Sequence, residues 1–284
     1  MSATRERQIA AVNAFRALHD SGCFVLPNPW DAGTAVYLEH LGFPAVATTS
    51  AGAAFARGLP DDVTAIPRDV MLAHVGEVVV ATSLPVNADF QSGYSPDPEG
   101  VAANVALCVA TGVAGLSIED ATGDGEAPLF THDLAVERLK AARAAIDASG
   151  IPVVLTARCE AWLVGHPDAE RMAIERLVAF SEAGADCLFA PGVRDPERIA
   201  AIVKAVSPKP VNVLVGAPSP VLSVSRLAEI GVRRISVGSA LARVAWTAFA
   251  KAARSIKETG SFDALGGAMS FTELNAIFRQ ARAG

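Results

Sequence analysis

The chain has 284 residues, of which 51% are hydrophobic and 19% charged, with a formal net charge of −6 at pH 7. This composition indicates a large core and argues against a nucleic-acid partner, which requires clustered Lys and Arg. No apolar run approaches the ~18 residues of a membrane span, and the first residues lack the apolar segment of a signal peptide. The four cysteines show no C-x-x-C spacing and are typical of reduced thiols. We therefore expect a cytoplasmic protein with no membrane partner.

Eight apolar, strand-like segments alternate with amphipathic stretches along the chain. In the amphipathic stretches, such as 32–42 and 170–184, apolar residues recur at three- and four-residue steps, which is the helical period. The predicted strands are 23–27, 45–49, 86–89, 115–119, 152–157, 187–190, 211–215 and 234–237. Strict alternation with continuously apolar strands predicts a parallel sheet covered on both faces. Eight repeats favour an α/β fold of one domain over 1–284, a closed (β/α)8 TIM barrel. An open doubly wound sheet is the alternative, disfavoured because no G-x-G-x-x-G follows the first strand.

The last segment, 261–284, is predicted to be a helical extension of the barrel. It starts with a glycine pair and ends in a short helix with no strand after it. That helix carries an apolar stripe made of Phe271, Leu274, Ile277 and Phe278. Because the stripe has nothing left to cover in its own barrel, we expect it to pack on a neighbouring subunit. The protein is therefore predicted to be a homodimer or homotetramer.

Polar side chains follow the predicted strands where these reach the barrel mouth, the end at which α/β barrels place their chemistry. They are Ser50 and, further along the same loop, Asp61 after the second strand, Asp89 and Gln91 after the third, Glu119 after the fourth, Arg158 after the fifth, and Asn212 in the seventh. Cys159 is expected to face away from the mouth because side chains alternate along a strand.

The pair Asp89 and Glu119, on adjacent strands, offers hard carboxylate oxygens of the kind that Mg2+ prefers, with Mn2+ as a second option. Arg158 offers a planar fork for an anion. A divalent cation beside such an arginine could stabilise the enolate formed from a small 2-oxo acid. One strand-end carboxylate alone is as often a helix cap, and Asp31 is interpreted in that way. The segment 236–241 is a weak match to a phosphate-binding turn.

Several of these segments together resemble one known family. They are N-P-W-D-A-G-T-A, A-T-T-S-A-G, D-F-Q-S-G-Y, S-I-E-D, A-R-C-E-A-W and V-G-S-A-L-A-R. In order and spacing the chain resembles the isocitrate lyase/phosphoenolpyruvate mutase superfamily over nearly all its length. The resemblance implies a Mg2+-dependent barrel whose last helix is exchanged between subunits, which would account for the stripe at 271–278.

The resemblance also implies roles for individual residues. Asp89 would be the direct metal ligand, with Glu119 and Gln91 reaching the metal through water. Ser50 and the amides of Ala51 and Gly52 would bind the substrate carboxylate or enolate oxygen, and Arg158 its other anionic end. Trp30 and Asn212 are also predicted to bind the substrate, and the predicted catalytic residues are Ser50, Arg158 and Asp61.

The chain departs from the family pattern at three places. Gln91 stands where an acid is usual, which removes one negative charge. The loop after the fourth strand, A-T-G-D-G-E-A-P-L-F-T, has neither the K-[KR]-C-G-H of isocitrate and methylisocitrate lyases nor the Lys and Asn of phosphonomutases. Ala190-Pro191-Gly192 replaces a frequent His or Glu after the sixth strand. The sequence therefore does not identify which bond of the substrate is cleaved. The loop 121–131, with its two glycines, is predicted to be a mobile lid.

These observations predict a Mg2+-dependent lyase that acts on a small anionic 2-oxo or 2-hydroxy carboxylic acid through an enolate-like intermediate, by C–C cleavage or decarboxylation. One alternative is C–P bond chemistry of the phosphonopyruvate hydrolase or phosphoenolpyruvate mutase type. A second is a non-catalytic binding barrel, for which Gln91 and the bare loop are the support.

Overall fold

The computed structural model describes residues 3–63 and 65–283, so Gly284, the last residue of the predicted extension, lies outside it. Eight strands run parallel in one sheet, in the order β1-β8-β7-β6-β5-β4-β3-β2. Their bounds are β1 Phe24–Leu26, β2 Val46–Ala47, β3 Val86–Asp89, β4 Gly115–Glu119, β5 Val154–Arg158, β6 Cys187–Phe189, β7 Val211–Leu214 and β8 Arg234–Ser236. Between β1 and β2 the backbone amide of Ala47 donates to the carbonyl of Pro27 at 3.0 Å. All eight predicted strands and the (β/α)8 barrel are confirmed.

Helices surround this barrel and follow the predicted alternation. Their bounds are α1 Ala3–Asp20, α2 Ala32–His40, α3 Ser50–Ala56, α4 Arg68–Ala81, α5 Pro98–Ala110, α6 His132–Ser149, α7 Ala169–Glu182, α8 Pro196–Val206, α9 Val224–Ile230, α10 Ala240–Thr259 and α11 Phe271–Ala283. Asp31 caps α2, because its Oδ1 accepts the Thr34 amide at 2.7 Å. Gly150 and Gly231 end α6 and α9 in the left-handed conformation, which glycine adopts more readily than other residues.

The two faces of each strand have different surroundings. On β4, Leu116 and Ile118 belong to the large apolar core, while Ser117 lines the space inside the barrel. Side chains that alternate in this way give each strand an apolar outer face, which the helices cover. The inner face is polar over several strands, with Asn87, Ser117 and Asn212 all buried. Most α/β barrels fill this interior with branched aliphatic side chains, so here a cavity replaces a packed layer.

The C-terminal helices are arranged differently from the sequence prediction. In the described chain α11 packs on α2, and Ile277 is buried. The statement that the stripe at 271–278 has nothing to cover in its own barrel is therefore wrong. Within the described residues, α10 also has an exposed apolar face, made of Val244, Trp246 and Phe249, and Phe271 at the start of α11 is exposed as well. Exchange of a helix between subunits stays a prediction, and α10 is the helix with the face to support it.

Among the helices of the described ranges, none has both the length and the apolar character needed to cross a membrane. The longest, α10, carries basic residues along its polar side, which fits an amphipathic helix.

Candidate active site

A cavity of about 220 Å³ opens at the mouth of the barrel, where the strands end. It is smaller than the ~300–1,000 Å³ of sites for drug-sized ligands, and so fits a small molecule. The residues predicted for the site that line it are Ser50, Ala51, Asp61, Asp89, Arg158 and Asn212. The others, Trp30, Gly52, Gln91 and Glu119, are not among its lining residues.

Asp89, at the end of β3, is held at the mouth by four hydrogen bonds. Its Oδ2 accepts the backbone amide and the hydroxyl of Ser50, each at 2.9 Å. Its Oδ1 accepts Nη1 of Arg158 at 2.7 Å, and its own amide donates to Thr48 Oγ1 at 2.9 Å. Ser50 is thus hydrogen-bonded to the predicted metal ligand, and both its amide and its hydroxyl donate to the Asp89 carboxylate.

Arg158, at the end of β5, forms ion pairs with three carboxylates of the site. Besides Asp89, its Nη2 contacts Glu119 at 3.1 Å and its Nε contacts Glu160 at 2.9 Å. Burial alone would lower the guanidinium pKa, but the carboxylates of Glu160, Glu119 and Asp89 outweigh it and raise that pKa. These contacts use three of the five N–H groups of an arginine, so Arg158 keeps part of its fork for a ligand.

The carboxylates around Arg158 are crowded, and together they favour a cation. Burial raises the pKa of Glu119 above its ordinary value, the Arg158 charge opposes this, and the nearby Glu160 and Asp89 carboxylates raise it further. Burial and the Asp89 carboxylate also raise the pKa of Asp61, on the loop at the mouth. Three carboxylates contact one guanidinium here and Asp61 lies nearby, so a divalent cation would relieve the repulsion among these carboxylates.

The donor set fits a hydrated Mg2+ better than a fully protein-coordinated ion. Within 3–63 and 65–283, no three or more His, Cys, Asp or Glu side chains are grouped as a metal cage. Gln91 adopts a left-handed conformation with φ of 47°, and its buried Oε1 has no hydrogen-bond partner among the described atoms. Mg2+ usually keeps several waters and takes one or two carboxylates. Asp89 suits the direct position, and the Gln91 Oε1 is an acceptor free for a water.

A second ion pair, between Asp120 and Arg176, lies next to the site, and its hydrogen bonds connect the ends of β4 and β5. Asp120 accepts the backbone amide of Glu160 and Nη1 of Arg176, both at 2.8 Å. Arg176 also donates to the Phe130 carbonyl at 2.7 Å. Cys159 was expected to face away from the mouth, and it is not among the residues that line the cavity. Its side chain is fully buried, and burial raises the pKa of its thiol.

Trp30 and Gly52 lie apart from the cavity and contact each other. A Cβ at Gly52 would stand 2.8 Å from Cβ of Trp30 and 2.6 Å from Cγ2 of Thr49, so only glycine fits. The Gly52 amide donates to Thr49 Oγ1 at 3.2 Å, which caps α3. Trp30 lines an apolar groove with Trp246 and Phe249 of α10. Substrate binding by Trp30 and by the Gly52 amide stays a prediction without a cavity contact in this structure.

Two loops beside the mouth are held by hydrogen bonds. In the segment 121–131, the Thr122 amide donates to the Pro128 carbonyl at 3.0 Å, and Gly123 lies beside Val63. Most of this segment is exposed and does not line the cavity, so the lid remains a prediction. In the turn at 236–241, the amides of Val237 and Gly238 donate to Oδ1 of Asn28 at 3.0 and 2.8 Å. The Asn28 side chain therefore takes donors that the resemblance to a phosphate turn assigned to an anion.

Several polar residues that line the cavity were not predicted from the sequence, among them Asn28, Asn87, Arg234 and Ser236. A signal for the last two was present, since period-two alternation in R-R-I-S-V places Arg234 and Ser236 on one face of β8. Asn28 gave no such signal, because its role depends on a turn more than 200 residues away.

Eight parallel strands with carboxylates and an arginine at their C-terminal mouth define the class of α/β-barrel proteins that keep a polar site there. The family model described as phosphoenolpyruvate phosphomutase matches residues 15–257. The chain therefore belongs to this family, within the PEP mutase/isocitrate lyase superfamily, whose characterised members are lyases and mutases, and the predicted resemblance is confirmed.

Three of the similar proteins match nearly the whole of this chain. A Burkholderia cenocepacia J2315 protein, assigned no more closely than as a lyase or mutase, has a crystal structure with a TM-score of 0.92, 46% identity, and coverage of 96% of this chain and 97% of that one. An oxaloacetate decarboxylase from Rhodopseudomonas palustris (strain ATCC BAA-98 / CGA009) is 31% identical over 94% of this chain and 92% of its own. A crystal structure of 2,3-dimethylmalate lyase has a TM-score of 0.83 and 26% identity, with coverage of 96% and 99%.

Proposed function

We propose that this protein is a Mg2+-dependent lyase that cleaves or decarboxylates a small 2-oxo or 2-hydroxy carboxylic acid. The observation that carries the proposal is the convergence of Asp89, Glu119 and Glu160 on Arg158 at the barrel mouth, beside Ser50. Such a site combines negative charge for a divalent cation with donors for an anion. Mn2+ is a second suitable ion because it accepts the same oxygen ligands.

Each residue has a task in this proposal. Asp89 holds the cation directly, and Glu119 and Gln91 orient waters around it. When bound, Mg2+ supplies positive charge that stabilises an enolate. The Ala51 amide orients the carboxylate or carbonyl oxygen of the substrate, together with Ser50, whose amide and hydroxyl would exchange Asp89 for the substrate. The Gly52 amide already caps its helix. The fork N–H groups of Arg158 that are not used by carboxylates face an anionic oxygen of the substrate.

Asp61 is the candidate for moving a proton at the mouth. It lines the cavity, and its pKa is raised by burial and by the Asp89 carboxylate. A raised pKa favours the protonated form of the carboxyl, so Asp61 is suited to hold and donate a proton. Asn212 supports the floor of the cavity, since its Nδ2 donates to Ser236 Oγ at 2.9 Å.

Carbon–carbon chemistry is favoured over carbon–phosphorus chemistry. Two of the similar proteins are an oxaloacetate decarboxylase and a 2,3-dimethylmalate lyase, names that denote cleavage of a carbon–carbon bond, and the first matches over 94% of this chain. The exposed loop 121–131 carries no lysine or asparagine with which to hold a phosphonyl group. Phosphonopyruvate-type chemistry remains the alternative because the metal and arginine equipment would serve both reactions.

The protein is proposed to work as a homodimer or a homotetramer in the cytoplasm. The support for assembly is α10, an amphipathic helix of 20 residues whose apolar side chains Trp246 and Phe249 are exposed in a single chain. A second copy would cover this face, because an exposed apolar stripe of this size marks an interface.

A substrate panel tests the proposed function. Oxaloacetate, 2-methylisocitrate, 2,3-dimethylmalate and phosphonopyruvate are incubated with the protein in Mg2+, in Mn2+ and in EDTA, and the carboxylic acid products are quantified. We expect turnover of at least one carbon–carbon substrate that needs the metal and is lost in EDTA. Turnover of phosphonopyruvate alone would establish the carbon–phosphorus alternative. Binding without turnover of any of the four would favour the non-catalytic barrel.

A further inference from the structure

The interior of the barrel holds a second arginine, Arg234, below the mouth. Arg234 begins β8, two residues before Ser236, which places its Cα ~7 Å nearer the bottom of the barrel at ~3.3 Å per residue. It lines the cavity together with Ser236 and Asn212, although only 2% of it is exposed. The cavity therefore carries acidic groups and Arg158 at the top and a buried guanidinium at its deep end.

Among the described residues, Arg234 has hydrogen-bond partners but no oppositely charged partner. Its Nε donates to Asn212 Oδ1 and its Nη2 to Thr156 Oγ1, each at 3.0 Å. Its Nη1 lies 3.4 Å from Nε2 of His19. All three partners are neutral acceptors, and among the described residues no carboxylate forms an ion pair with Arg234. A buried charge without an opposite charge is costly, and a bound anion would offset that cost.

Arg158 and Arg234 differ in what they can offer to a ligand. Three carboxylates compete with any substrate anion for Arg158. No carboxylate of the described residues pairs with Arg234, and its contacts use three of its five N–H groups. Ser236 Oγ accepts Nδ2 of Asn212 at 2.9 Å, so its own O–H is free to donate. The deep end of the cavity thus combines a positive charge with a hydroxyl donor.

We propose that Arg234 and Ser236 form an anion subsite that binds the distal carboxylate of a dicarboxylic substrate. The inference rests on the proposed function, in which the first carboxylate lies at the mouth near Ser50 and the cation. It narrows the substrate class to acids with two carboxylates, one held at each end of the cavity. The role of Arg234 is substrate binding, with Asn212 and Thr156 positioning its guanidinium.

Binding of unreactive dicarboxylates tests the subsite without any need for turnover. Malonate, succinate and glutarate are each titrated calorimetrically into the full chain in Mg2+ and in EDTA. Each is compared with the monocarboxylate of the same chain length: propionate, butyrate or valerate. We expect at least one dicarboxylate to bind ten-fold or more tightly than its monocarboxylate partner. Equal affinities in every pair would overturn the proposal.

Two variants test whether the preference for dicarboxylates over monocarboxylates arises at the deep end of the cavity. Arg234→Gln should abolish most of the ten-fold difference in affinity between the two kinds of acid. Arg226→Gln, which removes the same charge from an exposed arginine paired with Glu229, should leave it unchanged. An unchanged preference in a folded Arg234→Gln protein would overturn the proposal. If that variant fails to fold, Ser236→Ala decides: a preference reduced several-fold supports the subsite, and an unchanged one overturns it.

The result of this binding experiment can be distinguished from the result of the substrate panel that tests the proposed function. A protein without metal-dependent turnover can still show the dicarboxylate preference and its loss in Arg234→Gln. A protein with metal-dependent turnover and no such preference would keep its proposed function and lose the subsite.

Discussion

Arg158 and Asp89 form the shortest ion pair of the site, with Nη1 of the arginine 2.7 Å from Oδ1 of the carboxylate. The two side chains come from strands β5 and β3 and meet at the mouth, each less than a fifth exposed. This contact joins the proposed metal ligand to the proposed anion fork. A change in either residue should therefore alter both metal use and substrate binding.

Arg158→Lys should lower kcat/KM by a factor that corresponds to about 2–4 kcal/mol of transition-state stabilisation. The reason is geometric, because an ammonium group cannot bridge Asp89, Glu119 and Glu160 as the planar guanidinium does. Steady-state kinetics on the substrate identified in the panel give kcat/KM for the variant and the wild type. Arg171→Lys, at an exposed ion pair, is the control and should behave like the wild type. Near-normal kcat/KM in Arg158→Lys would leave Arg158 with a structural role only.

Gln91→Glu should tighten Mg2+ binding several-fold. The change adds one negative charge at a buried side chain whose Oε1 has no partner among the described atoms. A charge a few ångströms from the cation is worth ~1–4 kcal/mol at an effective dielectric constant of 20, before screening by water. Calorimetric titration with Mg2+ gives the affinities, with Gln280→Glu on the surface of α11 as the charge-matched control. Equal affinities in Gln91→Glu and wild type would mean that this side chain is remote from the metal.

His19 should make the protein sensitive to acid. Burial, followed by the Arg234 charge, lowers the pKa of His19 to about 3, and its ring contacts the Phe15 carbonyl at 2.7 Å. The unfolded chain binds the proton more readily, so this stabilisation is complete above pH 6.5 and is lost as the pH falls toward 3. At pH 5 the loss is about 2 kcal/mol.

His19→Gln removes this titration, so its free energy of unfolding should fall less than that of the wild type between pH 7.5 and 5. Urea unfolding at a series of pH values measures the difference, and His40→Gln, on an exposed histidine, should follow the wild type. Parallel pH profiles for His19→Gln and wild type would refute the assignment.

A charge on the apolar face of α10 should dissociate the proposed oligomer. In Phe249→Asp an aspartate replaces a phenylalanine that is 63% exposed in the single chain and that contacts Trp246 edge-on at 5.5 Å between ring centroids. A carboxylate at a buried apolar interface lacks a partner and is strongly unfavourable there. Light scattering coupled to size exclusion gives the mass, and Val80→Asp on α4 is the exposed control. A wild-type protein that is already monomeric would contradict the proposed assembly.

Sequence patterns predicted the strands well because their signals are local. The segment V-N-A-D and the glycine that ends α6 indicate a strand and a cap without reference to distant residues. The strand-end positions of Asp89 and Arg158 follow from barrel topology, so their contact was predictable in kind. The contacts of Trp30 were not, since they depend on how closely α3 approaches at Gly52. The exposure of α10 also depends on the path of the chain after β8, which periodicity does not encode.

The most direct test of the central claim is the Mg2+ dependence of turnover in Asp89→Ala, compared with Asp69→Ala at an exposed position on α4. Initial rates on the active substrate are measured across a Mg2+ titration, with thermal unfolding as a check that each variant is folded. We expect Asp89→Ala to lose metal-dependent turnover at every Mg2+ concentration and Asp69→Ala to follow the wild-type curve. A folded Asp89→Ala protein with wild-type turnover and wild-type Mg2+ dependence would contradict it.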